Sequence, residues 1–249
     1  MVYTFKKNWI KIIRWLFMDK ILSKFMGEFL GTFIFVLVAI GSAGTVVSLS
    51  SDLDGLAILV IAIGHSIGIL VGILMIGNLT GGHLNPAVTI AMLVSNKISL
   101  KISLIYIFAQ SAGASLAVLI IHSFMWDING LGVHNLSENI SILDGFIIES
   151  ILTAFLVIII MFVVNDKNPL APFAISLYVL VIHLVAINLT GASINPARSF
   201  APALIHNEWT NHWLYWIAPI IGGILGAIIY TFLFGSKSDK KGFGKFNTK

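Results

Sequence analysis

The triplet Asn-Pro-Ala occurs twice, at Asn85-Pro86-Ala87 and at Asn195-Pro196-Ala197, each time between a long apolar stretch and a short one. Gly81-Gly82-His83-Leu84 leads into the first, and Gly191-Ala192-Ser193-Ile194 into the second. Asn is a strong helix N-cap and Pro is favoured at the first helical position, so each triplet predicts a helix start. The two helices so predicted, Asn85–Ser95 and Asn195–Ile205, hold about ten residues each before a polar break, roughly half of what a bilayer span needs. Two helices that open inside a membrane and stop there direct two positive dipole ends at one place. Few architectures accommodate that, and the remaining sequence reads as its scaffold.

A membrane setting follows from composition. Of the 249 residues 57% are hydrophobic and 10% charged, with a mean hydropathy of +0.96; a soluble domain carries about 25% charge. With no cysteine, thiolate chemistry, disulfides and Cys-based metal sites are ruled out. Six apolar segments approach the required length: Phe25–Leu49, Leu56–Gly77, Ile102–Phe124, Gly145–Val164, Asn168–Thr190 and Trp213–Phe234. The expected fold is an all-α membrane protein of six spans plus two re-entrant half-helices. The segment 1–24 reads as a basic amphipathic segment suited to a membrane surface or an orienting tail, 25–234 as one transmembrane domain, and 235–249 as a basic tail.

The charges orient the spans. Fourteen of the fifteen Lys and Arg lie in the N-terminal segment, at Lys97 and Lys101, at Lys167, or between Lys237 and Lys249, whereas Ser50–Gly55, Met125–Asp144 and His206–His212 contain none. The positive-inside rule puts the basic loops and both termini in the cytoplasm. This alternation also requires that neither short helix crosses fully. The net charge of +4 therefore reports topology, not affinity for nucleic acid. Arg198, at membrane depth, is the exception and a candidate functional residue.

The chain repeats itself. Gly27-Glu28-Phe29-Leu30-Gly31-Thr32-Phe33 parallels Ile148-Glu149-Ser150-Ile151-Leu152-Thr153-Ala154-Phe155, and an Asn-Pro-Ala helix follows the next span in each half. With three spans per half, the repeats (about 25–124 and 145–234) insert in opposite orientations and place their site at the midplane between them.

Together Glu28, Gly81–Thr89, Gln110, Glu149 and Thr190–Phe200 closely resemble the aquaporins, the major intrinsic proteins, and the resemblance runs from about Phe25 to Phe234. It implies one pore per subunit, a right-handed bundle and a homotetramer in the cell membrane, with water as permeant. It assigns Asn85 and Asn195 as pore donors and His65, His183, Ala192 and Arg198 as the outer selectivity filter. Carbonyls of Gly81, Gly82, His83, Leu84, Gly191, Ala192, Ser193 and Ile194 become a ladder of acceptors along the pore. Glu28, Glu149 and Gln110 become supports of the two loops. The alternative to the last assignment of Arg198 is a structural ion pair with Glu149.

His183 beside Arg198 matches the water-selective pattern, as do Ser199, Ala203 and the pair Tyr215-Trp216; glycerol channels have a small residue in place of His183. His65 departs from the usual water-channel Phe and resembles vacuolar plant channels. It serves either as a flat ring in place of Phe or as a more polar wall that admits ammonia or hydrogen peroxide. Two facing imidazoles, with an ordinary pKa of ~6.5, also suggest pH-sensitive conductance. No enzyme chemistry is expected: there is no Gly-x-x-x-x-Gly-Lys-Ser/Thr nucleotide motif, no cofactor, and no His spacing for a metal. A gradient-coupled transporter shares broken helices and repeats but needs an intramembrane ion site, and Glu28 and Glu149 are the acids available at depth.

Overall fold

The computed structural model describes residues 20–49, 54–125, 130–165 and 168–245. Most of the 1–24 segment, and Lys167, lie outside the described residues. Nine helices and no strand occur among the described residues: α1 Lys20–Leu49, α2 Gly55–Thr80, α3 Pro86–Val94, α4 Leu100–Phe124, α5 Ile142–Asn165, α6 Ala171–Thr190, α7 Pro196–His206, α8 Leu214–Leu233 and α9 Lys237–Gly242. Six of these, all but α3, α7 and α9, are long and apolar enough to cross a membrane.

The bounds differ from the sequence expectation at several ends, with local causes. Helix α1 includes Lys20 and Lys24, so it runs beyond the apolar stretch into its basic flank. Helix α6 starts at Ala171 instead of Asn168. Asn168 is spent on a turn, its side chain accepting from Leu170 N (2.9 Å) and its carbonyl from Ala171 N (3.0 Å).

The two halves interlock. Within them α1 packs on α2 and α4, and α5 on α6 and α8, in corresponding pairs. Across them α2 meets α6, while each half-helix lies against the last span of the other half, α3 on α8 and α7 on α4. This is the arrangement an inverted repeat produces, and neither half has its full set of neighbours alone. Close approach rests on small residues. A Cβ at Gly31 or Gly72 would fall 2.6 and 2.7 Å from the side chain of Leu84, which is fully buried between them. Gly222 and Gly226 of α8 face the backbone carbonyls of Ser150 and Ala154 in α5. Large apolar side chains point outward instead, Phe108 at 69% and Leu177 at 60% exposure, as suits helices whose surroundings are lipid.

Candidate functional site

Both loops that precede the half-helices follow one backbone scheme. Spans α2 and α6 end at Gly81 (φ 94°) and Gly191 (φ 83°), left-handed caps. Left-handed backbone recurs at Gly82 and Ala192, and again at Leu84 and Ile194 (φ 53° and 45°). For non-glycine residues, and a β-branched one above all, such φ values cost about 1–2 kcal/mol each. The loops keep them because their N–H groups are held. Glu28 accepts from His83 N (3.0 Å) and Leu84 N (2.8 Å); Glu149 accepts from Ser193 N (2.9 Å) and Ile194 N (2.7 Å). Gln110 donates to Glu28 (2.7 Å) and to Thr89 (3.0 Å), and Thr190 donates to Glu149 (2.6 Å).

Across a trans peptide the N–H and the preceding C=O point in opposite directions. Carbonyls of Gly82, His83, Ala192 and Ser193 are thereby turned away from the two carboxylates. Of the eight residues expected as a carbonyl ladder, Gly81, Gly82, His83, Ser193 and Ile194 line an open cavity of about 690 Å³. The carbonyls of Leu84 and Ile194 are engaged otherwise: Asn195 Nδ2 donates to Leu84 O (2.8 Å) and Asn85 Nδ2 to Ile194 O (2.7 Å). Each Asn side-chain oxygen caps its own half-helix, accepting from Ala87 N (2.8 Å) in one case and from Ala197 N (3.1 Å) and Arg198 N (3.3 Å) in the other. Each amide thus spends one N–H on tying the two loops together and keeps a second.

The cavity runs from Lys97, Asn165 and Asn168 past Asn85 and Asn195 to His65 and His183. The two imidazole centroids lie 4.0 Å apart with planes tilted by 33°. His65 Nδ1 bonds Ile61 O (2.9 Å) and His183 Nδ1 bonds Val179 O (2.8 Å). A carbonyl only accepts, so both Nδ1 atoms carry the proton and both Nε2 atoms are acceptors. His65 Nε2 receives Arg198 Nε (3.3 Å); His183 Nε2 is buried with no partner. Arg198 Nη1 donates to the carbonyl of Gly132. Among the described residues no carboxylate lies within 4.0 Å of Arg198, so the ion pair with Glu149 is not formed. The Glu149 carboxylate accepts from Ser193 N, Ile194 N and the Thr190 hydroxyl instead. Ala192 is fully buried, its N–H held by Thr190 Oγ1 (3.2 Å), and it is not among the residues that line the cavity.

Several participants escaped the sequence reading. Thr80 matches Thr190, accepting from Gly82 N (3.0 Å), and the repeat Leu-Thr-Gly at 79–81 and 189–191 signals both. Tyr106 donates to Thr80 O (2.8 Å) and meets His83 edge-on at 5.2 Å. Gly132 and His134, which sits 5.2 Å from Tyr215, come from a loop with no regular pattern.

Six spans, two opposed half-helices and a cavity leading between their N-termini define a membrane channel built on an inverted repeat. The sequence model described as "Major intrinsic protein" matches residues 16–230. The chain is 40% identical over 217 residues to aquaporin-4 of Homo sapiens, covering 83% of this chain and 66% of that one, just under two thirds of the relative's length. It is 34% identical over 216 residues to aquaporin TIP2-3 of Arabidopsis thaliana, covering 84% and 86%. The solved aquaglyceroporin of Plasmodium falciparum superimposes with a TM-score of 0.76 at 25% identity, covering 86% of this chain and 96% of that one. The chain belongs to the major intrinsic protein family, the aquaporin channels.

Proposed function

We propose that this aquaporin-family chain is a passive water channel, driven by osmotic gradients and closed to protons and ions. The observation that carries the reading is the His65–His183 pair, 4.0 Å between ring centroids, with Arg198 bonded to its edge. A constriction of two rings and a guanidinium suits single waters better than a carbon-backboned polyol. Inside it, water loses bulk hydrogen bonds and recovers them from Nε2 of His183, the loop carbonyls and the free amide N–H groups of Asn85 and Asn195. The N-termini of α3 and α7 add positive potential at the midplane and orient waters in opposite senses on either side, which interrupts a proton wire and repels cations. The chain works as a homotetramer in the cell membrane with both termini cytoplasmic.

Stopped-flow shrinkage of proteoliposomes tests this, with sucrose, glycerol, ammonium and peroxide gradients compared. Water flux is expected to exceed glycerol flux by orders of magnitude, and His183→Gly to raise glycerol flux steeply while water flux persists. Glycerol flux comparable to water flux in the unaltered protein would sink the reading. Fast ammonia or peroxide flux beside water would instead assign His65 the broader role.

A further inference from the structure

We propose that His206 is a positioning residue for Arg198, acting through the loop at Gly130–Gly132, and that proton uptake by His206 releases that loop. The inference rests on the reading of Arg198 as the cation of the outer constriction. The contacts form a short circuit. Arg198 donates to the Gly132 carbonyl, and two residues earlier Gly130 N donates to His206 Nδ1 (3.3 Å). Both grips come from α7, Arg198 near its start and His206 at its end. Gly130 and Gly132 take φ of 70° and 79° and carry no side chain, so at these points the loop is held by its backbone groups. A turn bond, Val133 N to Gly130 O (3.0 Å), makes the stretch move as a unit.

Accepting Gly130 N–H requires a bare Nδ1, so neutral His206 carries its proton on Nε2. A second proton turns Nδ1 into a donor facing a donor, and the bond is lost. Of the groups around His206, the titratable one from another element is His122 of α4, edge-on at 5.0 Å between centroids. Helix α1 contributes the apolar Ile40, the end of α4 Met125, and the loop the Leu131 side chain together with the Leu131 backbone, which favours the protonated ring and opposes the two influences that disfavour it. On the same segment, Glu208 is engaged by Thr210 N (3.0 Å) and Oγ1 (2.5 Å), and Arg198 lies eight residues back. Burial first, and then His122, hold His206 below its ordinary value. The grip is therefore intact at neutral pH and lost in acid. Once Gly132 moves off, the buried guanidinium keeps His65 and lacks one acceptor. Buried polar groups left without a partner around it are the ring nitrogens of His134, the Tyr215 hydroxyl and His183 Nε2, and of these residues His183 is the one that lines the cavity. Arg198 reaching for it narrows the path, and water permeation falls.

The test is osmotic water permeability of proteoliposomes at about pH 7.5 and about pH 5 for the unaltered protein, His206→Asn and His206→Ala. The Asn amide oxygen accepts Gly130 N–H and does not titrate. Expected are a several-fold fall in acid for the unaltered protein, a flat high profile for His206→Asn, and low permeability at both pH values for His206→Ala. The Asn variant keeps the test valid if the Ala variant does not fold. An unaltered protein with no pH dependence, or a His206→Asn profile that still falls, overturns the inference; the latter outcome moves the sensor to His65 and His183. Failure of the underlying reading looks different, as absence of water flux at pH near neutral in every variant.

Discussion

At the scale of single residues the two buried glutamates do work that no other side chain available to the loops could replace. Glu149 satisfies Ser193 N, Ile194 N and the Thr190 hydroxyl at once, and thereby holds Ile194 at a φ of 45°. Glu149→Gln keeps the shape but swaps one acceptor oxygen for a donor. One loop N–H then faces an N–H, at a cost of about 1–3 kcal/mol for the unsatisfied buried group, with release of the strained backbone as the alternative. The apparent unfolding temperature in detergent is expected to drop, and water permeability with it; a variant matching the unaltered protein in both would show that the loop is held by other means. The residues of this scheme differ in how legible they were. Glu28, Glu149 and the Asn-Pro-Ala triplets announce themselves because a charge or a cap in apolar sequence has few innocent explanations. The double use of each Asn amide does not, since a hydrogen bond between residues 85 and 194 depends on two loops meeting in space. Gly132 is invisible for the same reason: it contributes a carbonyl, which every residue has.

At the scale of elements, glycines decide how near the helices come. Gly222 and Gly226 let α8 rest on the backbone of α5, and alanine at either would overlap a carbonyl oxygen. By contrast a Cβ at Gly41, in the middle of α1, meets nothing within 4 Å. Opposite signs follow. Gly222→Ala is expected to destabilise by about 1–3 kcal/mol through overpacking, and Gly41→Ala to be neutral or to stabilise by about 0.5–1 kcal/mol by restricting the unfolded chain. Thermal melts of the two purified variants check this, and equal effects would refute it. The span and half-helix order was readable from apolar length and charge alternation, because bilayer thickness and the positive-inside rule act on any sequence. Helix ends were less so: Asn168 belongs to a turn for reasons of local hydrogen bonding and not of hydropathy.

Helix α9 was not expected at all, since its sequence reads as a charged tail. It forms because Ser236 and Asp239 cap each other, and it docks because Asp239 pairs with Lys97 (2.6 Å) and Gly244 N bonds Val94 O (2.7 Å). Lys97, then Ser236, hold the Asp239 carboxyl down from 3.8 to about 2. A depressed folded-state value stabilises docking above the unfolded value and loses that contribution as pH falls through the folded one. A spin label on Ser238→Cys should therefore stay immobilised at pH 5 and loosen between about pH 4 and about pH 2. Lys97→Met should loosen it already at neutral pH, by a small margin, as an exposed pair is worth about 0–1 kcal/mol. A label insensitive to both changes would leave the docking to Gly244 and Phe243.

For the whole molecule the decisive constraint is that two halves of opposite orientation complete each other. Half-helix α3 has its partner in α8 and α7 in α4, so neither repeat presents a finished surface without the other. The same opposition fixes sidedness. Lys97, Lys101 and the described tail lysines gather at the end where the cavity opens beside Lys97, while Glu138, Asp144 and Glu208 lie in the sequence segments 125–144 and 206–212, which hold no Lys or Arg. If the basic end is cytoplasmic, a thiol placed at Ser141 faces outward and one at Ser238 inward. The chain offers a clean background for this measurement, since it contains no cysteine. In intact cells a membrane-impermeant maleimide should label Ser141→Cys at once and Ser238→Cys only after permeabilisation. The reverse pattern would invert the molecule, set Arg198 and the two histidines at the cytoplasmic mouth, and make the pH at His206 that of the cytoplasm. Labelling of both sites in intact cells would point to mixed insertion, which the concentration of lysines on alternate loops argues against.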